Sequence, residues 1–158
     1  MANEAYIALG SNLGDRRAMI ARAIRRIHEQ PAIAVERVSS IIETDPVGPP
    51  GQGPYMNAAI LVRTDLDPRG LLDALLAIES ELGRDRSADA VRWGARRIDL
   101  DVLVFGDRMV DEPGLHVPHP RLQERTFVLI PLAEIAPGLV IPPANRTPRE
   151  MLGALRGA

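Results

Sequence analysis

The chain has 158 residues, 46% hydrophobic and 25% charged, which are the proportions of one soluble globular domain. Nineteen Lys and Arg against twenty-one Asp and Glu leave a net charge of −2, which excludes general nucleic-acid coating by a global basic field. The lack of cysteine excludes a disulfide scaffold, a Cys zinc site, an iron–sulfur cluster and a Cys nucleophile. No apolar run reaches the length of a membrane span, and Met1-Ala2-Asn3-Glu4 lacks the basic start of a signal peptide. The expectation is a cytoplasmic protein.

In chain order, Ala5–Gly10 predicts a strand ending on glycine, and Ser11–Asp15 a turn that caps a helix. Ile20, Ala23, Ile24 and Ile27 recur at helical spacing and predict an amphipathic helix running to Gln30, before Pro31. Ile33–Thr44, rich in β-branched residues, reads as one strand, followed by the Pro/Gly loop Asp45–Pro54. Met56–Arg63 is the third strand, with Tyr55 and Asn57 on the face opposite Met56 and Ala58. Asp67-Pro68 caps a second helix whose buried stripe is Leu71, Leu75, Ile78 and Leu82, with Gly83 at its end.

Arg84–Arg97 is a polar loop, and Ile98–Phe105 the fourth strand. Strict alternation there places Asp99, Asp101, Leu103 and Phe105 on one face and Ile98, Leu100, Val102 and Val104 on the other. The chain then reads as irregular until a helix at Phe127–Ala136, interrupted by Pro131. Thr147-Pro-Arg-Glu150 is a capping box opening a last short helix. The order β-α-β-β-α-β predicts an α+β fold of ferredoxin-like type. An antiparallel sheet carries its helices on one face, with a C-terminal extension, in a single domain over residues 1–158.

Asp99 and Asp101 are the most informative pair. Their backbones lie about 7 Å apart on one strand face, and two carboxylates so close repel unless a cation sits between them. A magnesium site suits that geometry; a solvated strand edge carrying two acids is the plain alternative. Arg84, Arg86, Arg92, Arg96 and Arg97 fall in the loop just before, a local reversal of sign that suits phosphate, although a solvated loop would also hold them. Trp93, the only tryptophan, lies in this polar loop, where it either anchors the loop or closes over a ligand.

Pro118-His119-Pro120-Arg121 with Arg125 forms a second basic group, and the prolines favour presenting His119, with His116 in support. Tyr55 could stack a flat heterocycle whose edge Asn57 reads, or it could simply cover the sheet edge. No P-loop or Rossmann fingerprint is present, and Gly10-Ser-Asn-Leu-Gly14 reads as a turn.

Together ALGSNLGDR, ETDPVG, YMNAA, RWGARRIDLDVLVFG and VPHPRLQERTFVLIPLAEIAP resemble the 6-hydroxymethyl-7,8-dihydropterin pyrophosphokinases of folate biosynthesis, from Ala5 to Pro143. The resemblance implies a ferredoxin-like fold and transfer of pyrophosphate from ATP to the pterin hydroxymethyl group, with release of AMP. It implies that Asp99 and Asp101 hold two magnesium ions, and that they act with Arg84 and Arg96 in catalysis. ATP contacts are implied for Glu79, Arg86, Val102, His116, His119 and Arg125. The pterin would meet Thr44, Val47, Tyr55, Asn57, Trp93 and Phe127. A monomer acting on these small molecules, without nucleic acid or membrane, is expected.

Two departures accompany the resemblance: the Ser87–Val91 stretch is longer than in some members, and Pro120 stands where some carry an aromatic. A metal-dependent phosphatase or nucleotidyltransferase could also use the two aspartates but would need neither Tyr55 nor Phe127. A non-catalytic ferredoxin-like module binding a ligand or RNA is a further alternative; a sheet face with two acids and few aromatics argues against RNA, since sheet readers need exposed stacking residues.

Overall fold

Burial on the first strand decides the layering. The computed structural model describes residues 1–12, 15–44, 55–84 and 98–157. In β1 (Asn3–Ser11), Ala5, Ile7 and Leu9 enter one apolar cluster and Tyr6 enters a second on the opposite face. A strand covered on both faces belongs in the middle of a sheet. Accordingly, β1 pairs antiparallel with β4 (Tyr55–Thr64) on one side and β5 (Asp99–Phe105) on the other. Both β2 (Ile33–Val38) and β3 (Ile42–Thr44) pair with the far edge of β4, and the main path runs β2-β4-β1-β5.

The single strand expected from Ile33 to Thr44 is therefore two. The Ser39 N–H donates to the Ala59 carbonyl at 2.9 Å, while Ser39 Oγ accepts the Ala59 N–H at 2.8 Å. A hydroxyl thus takes a place in the ladder that a carbonyl would otherwise fill, and the strand breaks there.

Helix α1 (Arg16–His28) starts at Asp15, whose carboxylate accepts the Ala18 N–H at 3.1 Å. Helix α2 (Pro68–Arg84) starts at Asp67, which accepts the Gly70 N–H at 2.7 Å. Ile20, Ala23 and Ile27 of α1 and Leu71, Leu75, Ile78 and Leu82 of α2, none more than 2% exposed, join the first cluster on one face of the sheet. With the second strand split into β2 and β3, the order from β1 to β5 is β-α-β-β-β-α-β, and the antiparallel pairing is that expected.

The stretch after β5 corrects the sequence reading. It holds a hairpin of β6 (Val110–Glu112) and β7 (Leu115–Val117), turning at Pro113-Gly114 with Gly114 at φ +76°. A 3₁₀ turn (Leu122–Glu124) follows, then α3 (Thr126–Ile135), which accommodates Pro131, and α4 (Pro148–Gly157). The capping box opens α4 as expected: the Glu150 N–H donates to Thr147 Oγ1 at 3.1 Å and the Thr147 N–H to Glu150 Oε1 at 2.9 Å. Through Val128, Leu129, Leu132, Ile135 and Met151, α3 and α4 cover the second face of the sheet, so the C-terminal extension is a third layer.

A second correction concerns β5. Its pairing with β1 shifts register between Tyr6 and Ile7, which face Val104 and Val102 and leave Leu103 as the extra residue. Past that bulge the alternation inverts. Val104 joins Leu103 in the second cluster, and Phe105 joins Leu100 and Val102 in the first.

Candidate active site

Three strands meet at one residue without a side chain. Gly10 pairs with Asn57 of β4 on one side and with Asp99 of β5 on the other. A Cβ at Gly10 would stand 3.2 Å from Asn57 Oδ1 and 4.0 Å from Tyr55 Cδ1, so glycine leaves open floor where any other residue would fill it. Above that floor lies a cavity of about 470 Å³, lined by Gly10, Thr44, Tyr55, Asn57, Asp99 and Asp101 from the strands. Arg121, Glu124, Arg125, Phe127 and Val128 line it from the segment that leads into α3.

One part of this cavity suits a flat, hydrogen-bonding heterocycle. Asn57 is 7% exposed and its Nδ2 donates to Thr44 Oγ1 at 2.7 Å, which orients the amide and leaves its oxygen toward the cavity edge. Tyr55 and Phe127, both half-buried, line the same space from strand and helix. Burial raises the Tyr55 pKa above its ordinary value, and the neighbouring Asp99 carboxylate raises it further.

The acidic part is held from behind. Leu100, between the two aspartates, donates its N–H to Glu79 Oε2 of α2 at 2.6 Å. That bond crosses from the helix layer to the strand and sets the height of Asp99 and Asp101 relative to α2. Among the described residues no group of three or more His, Cys, Asp or Glu side chains is placed to hold a metal. Two carboxylates beside a space large enough for phosphates nevertheless fit magnesium, which commonly takes one or two protein carboxylates and completes its shell with phosphate oxygens and water.

The basic part is rigid at the backbone. The His119 N–H donates to the Leu103 carbonyl at 2.9 Å, and His119 Nδ1 accepts the Arg121 N–H at 3.1 Å. In the neutral ring the proton therefore sits on Nε2, which is left as a donor. Burial lowers the His119 pKa most; Asp101 works against that shift, and Arg125 and Arg121 add to it. The Arg125 guanidinium lies 5.7 Å from the centre of the Phe127 ring, which couples the cation to the aromatic wall.

The cavity thus brings together Thr44, Tyr55, Asn57, Asp99, Asp101, Arg125 and Phe127, with His119 beside them. Other expected site residues stand elsewhere. Val102 is 5% exposed within the first cluster, beneath the helices. His116 on β7 pairs with Asp111 Oδ1 at 2.7 Å and lines a separate groove with Pro118, Pro120 and Pro143. Glu79 approaches from α2, and Arg84 closes that helix. Val47, Arg86, Trp93 and Arg96 lie outside the described residues. Gly10 and Glu124 escaped the sequence reading, and Arg121 was seen only as part of a basic group. A glycine ending a strand was the one signal for Gly10, while Glu124 had none.

A family model described as 7,8-dihydro-6-hydroxymethylpterin-pyrophosphokinase (HPPK) matches residues 6–137. The 2-amino-4-hydroxy-6-hydroxymethyldihydropteridine pyrophosphokinase of Bacillus subtilis is 50% identical over 135 residues, covering 85% of this chain and 79% of that protein. Its namesake in Pseudomonas aeruginosa is 44% identical over 154 residues, covering 98% and 93%. Among solved structures, wild-type Plasmodium falciparum HPPK-DHPS superposes with a TM-score of 0.74 at 15% identity. That match takes in 97% of this chain and 41% of the other, so the chain spans less than half of that protein and the likeness concerns the fold.

Proposed function

This chain belongs to the 7,8-dihydro-6-hydroxymethylpterin-pyrophosphokinase family, and from that premise we propose how its residues divide the work of the reaction. The enzyme transfers pyrophosphate from ATP to the hydroxymethyl group of the pterin and releases AMP, in folate biosynthesis. Tyr55 and Phe127 sandwich the pterin, and Asn57, oriented by Thr44, reads its edge with help from Val47. Asp99 and Asp101 hold two magnesium ions. Bound there, magnesium offsets phosphate charge and lowers the pKa of the attacking hydroxyl.

The remaining roles fall to cations and to the loop. Arg125, and by resemblance Arg84, Arg86 and Arg96, stabilise charge on the phosphates as the bond to the β-phosphorus forms and the bond to the departing AMP breaks. His119 acts through Nε2–H, as a neutral donor rather than as a further cation. Trp93 and its loop exclude water, because hydrolysis competes with transfer. Glu79 positions β5 through the Leu100 N–H, while Val102 and His116 are assigned to ATP by resemblance alone. The enzyme acts as a cytoplasmic monomer, and size chromatography of the purified protein tests its oligomeric state.

One observation carries this division: the stacking residues, the amide and both carboxylates line a single cavity, so a pterin hydroxyl and a phosphate chain are contiguous when both are bound. The test is AMP formation from ATP, magnesium and the dihydropterin by wild type and Asp101→Ala. Asp101 is exposed, so the variant keeps its melting temperature. Pterin-dependent AMP from wild type and at least about 100-fold less from Asp101→Ala is expected, the scale of losing one electrostatic catalytic element. Undiminished turnover by the variant defeats the metal assignment.

A further inference from the structure

Arg121 has no role in the division above, although its place in the cavity gives it one. It is the residue before the 3₁₀ turn, and its exposed side chain lines the same cavity as Asp99, Asp101, Arg125 and Phe127. Its backbone cannot drift from the site, because its N–H is bonded to His119 Nδ1 at 3.1 Å and the His119 N–H is bonded to Leu103 of β5 at 2.9 Å. Among the described residues the guanidinium itself is uncommitted. Arg26, Arg63 and Arg69 each have a carboxylate oxygen within 3.0 Å, whereas Arg121 has no ion-pair partner among the described residues.

The identity of the ligand follows from what shares the cavity. The pterin hydroxymethyl oxygen becomes bonded to the pyrophosphoryl group, so that group must lie between the stacking residues and the aspartates. A cation lining this cavity is therefore placed to meet the transferred group. Arg125 turns one face to the Phe127 ring. Among the described residues Arg121 has no such hold, and its planar fork of donors is available for phosphate oxygens.

We propose that Arg121 is a further phosphate-binding residue, contacting the pyrophosphoryl group as it is transferred and holding it on the product. This rests on the reading of the cavity given above. The test compares equilibrium binding of 6-hydroxymethyl-7,8-dihydropterin and of its diphosphate ester, with magnesium present, to wild type, Arg121→Ala, Arg121→Lys and Arg125→Gln. Arg121→Ala should leave the alcohol within about twofold and weaken the diphosphate about tenfold, the scale of one charge-assisted hydrogen bond. Arg121→Lys should recover part of the loss, and the gap between wild type and Arg121→Ala should narrow in high salt.

Equal weakening of both ligands, or of neither, by Arg121→Ala overturns the inference. Loss in Arg125→Gln alone overturns it while leaving the cavity reading in place. Failure of wild type itself to prefer the diphosphate overturns both.

Discussion

Gly10 shows how much one missing side chain contributes. It stands between Asn57 and Asp99 on the central strand, and the cavity floor is the volume its Cβ would take. Gly10→Ala places a methyl group 3.2 Å from Asn57 Oδ1, and that amide is already held by Thr44, so it yields poorly. Overpacking of this kind costs about 1–3 kcal/mol. The expected outcome is a pterin KM raised about tenfold or more, with the KM for ATP little changed and the fold retained. A kinetic comparison in which both substrates weaken equally would instead mean that the strand had shifted. The glycine was visible in the sequence. Its two neighbours were not, because strand pairing joins positions 47 and 89 residues away.

At the scale of elements, the bond from Leu100 to Glu79 links a helix on one layer to the strand that carries both aspartates. Removing the carboxylate leaves a strand N–H without its acceptor, at a cost of about 1–3 kcal/mol. Glu79→Ala should therefore lower the melting temperature and also reduce kcat, since Asp99 and Asp101 flank the freed peptide. Glu79→Gln retains an acceptor oxygen and should restore most of both. If Gln and Ala variants lose activity alike at equal stability, the charge acts on the nucleotide directly and positioning is not its role. The hairpin β6–β7 belongs to this scale too. The sequence reads as irregular there, because strands of three residues are too short to show a period of two.

For the molecule as a whole, the sheet separates two apolar layers with different duties. The α1/α2 layer supports the sheet from beneath, and the α3/α4 layer carries Arg125, Phe127 and Val128 onto the cavity. Leu75 and Leu132 are both fully buried, one in each layer. Truncating either to Ala should cost about 2–5 kcal/mol. Only Leu132→Ala should also raise the pterin KM well below its melting temperature, because it loosens the helix that holds Phe127. Equal kinetic effects from the two variants would show that the cavity depends on global stability alone.

Local periodicity and capping determined most of the elements by themselves. The stripe of α2, the caps at Asp15, Asp67 and Thr147, and the shared face of Tyr55 and Asn57 depend on residues a few positions apart. The family motifs and the pair Asp99–Asp101 were equally legible. Tertiary structure decided what depends on distant partners. Pairing with Tyr6 and Ile7 made Leu103 a bulge and exchanged the faces of Val104 and Phe105. Packing against the second sheet face turned the C-terminal extension into a wall of the site, and brought Arg121 to the aspartates of β5. Register and layer choice minimise exposed apolar surface over the whole chain, a sum that no short window of sequence contains.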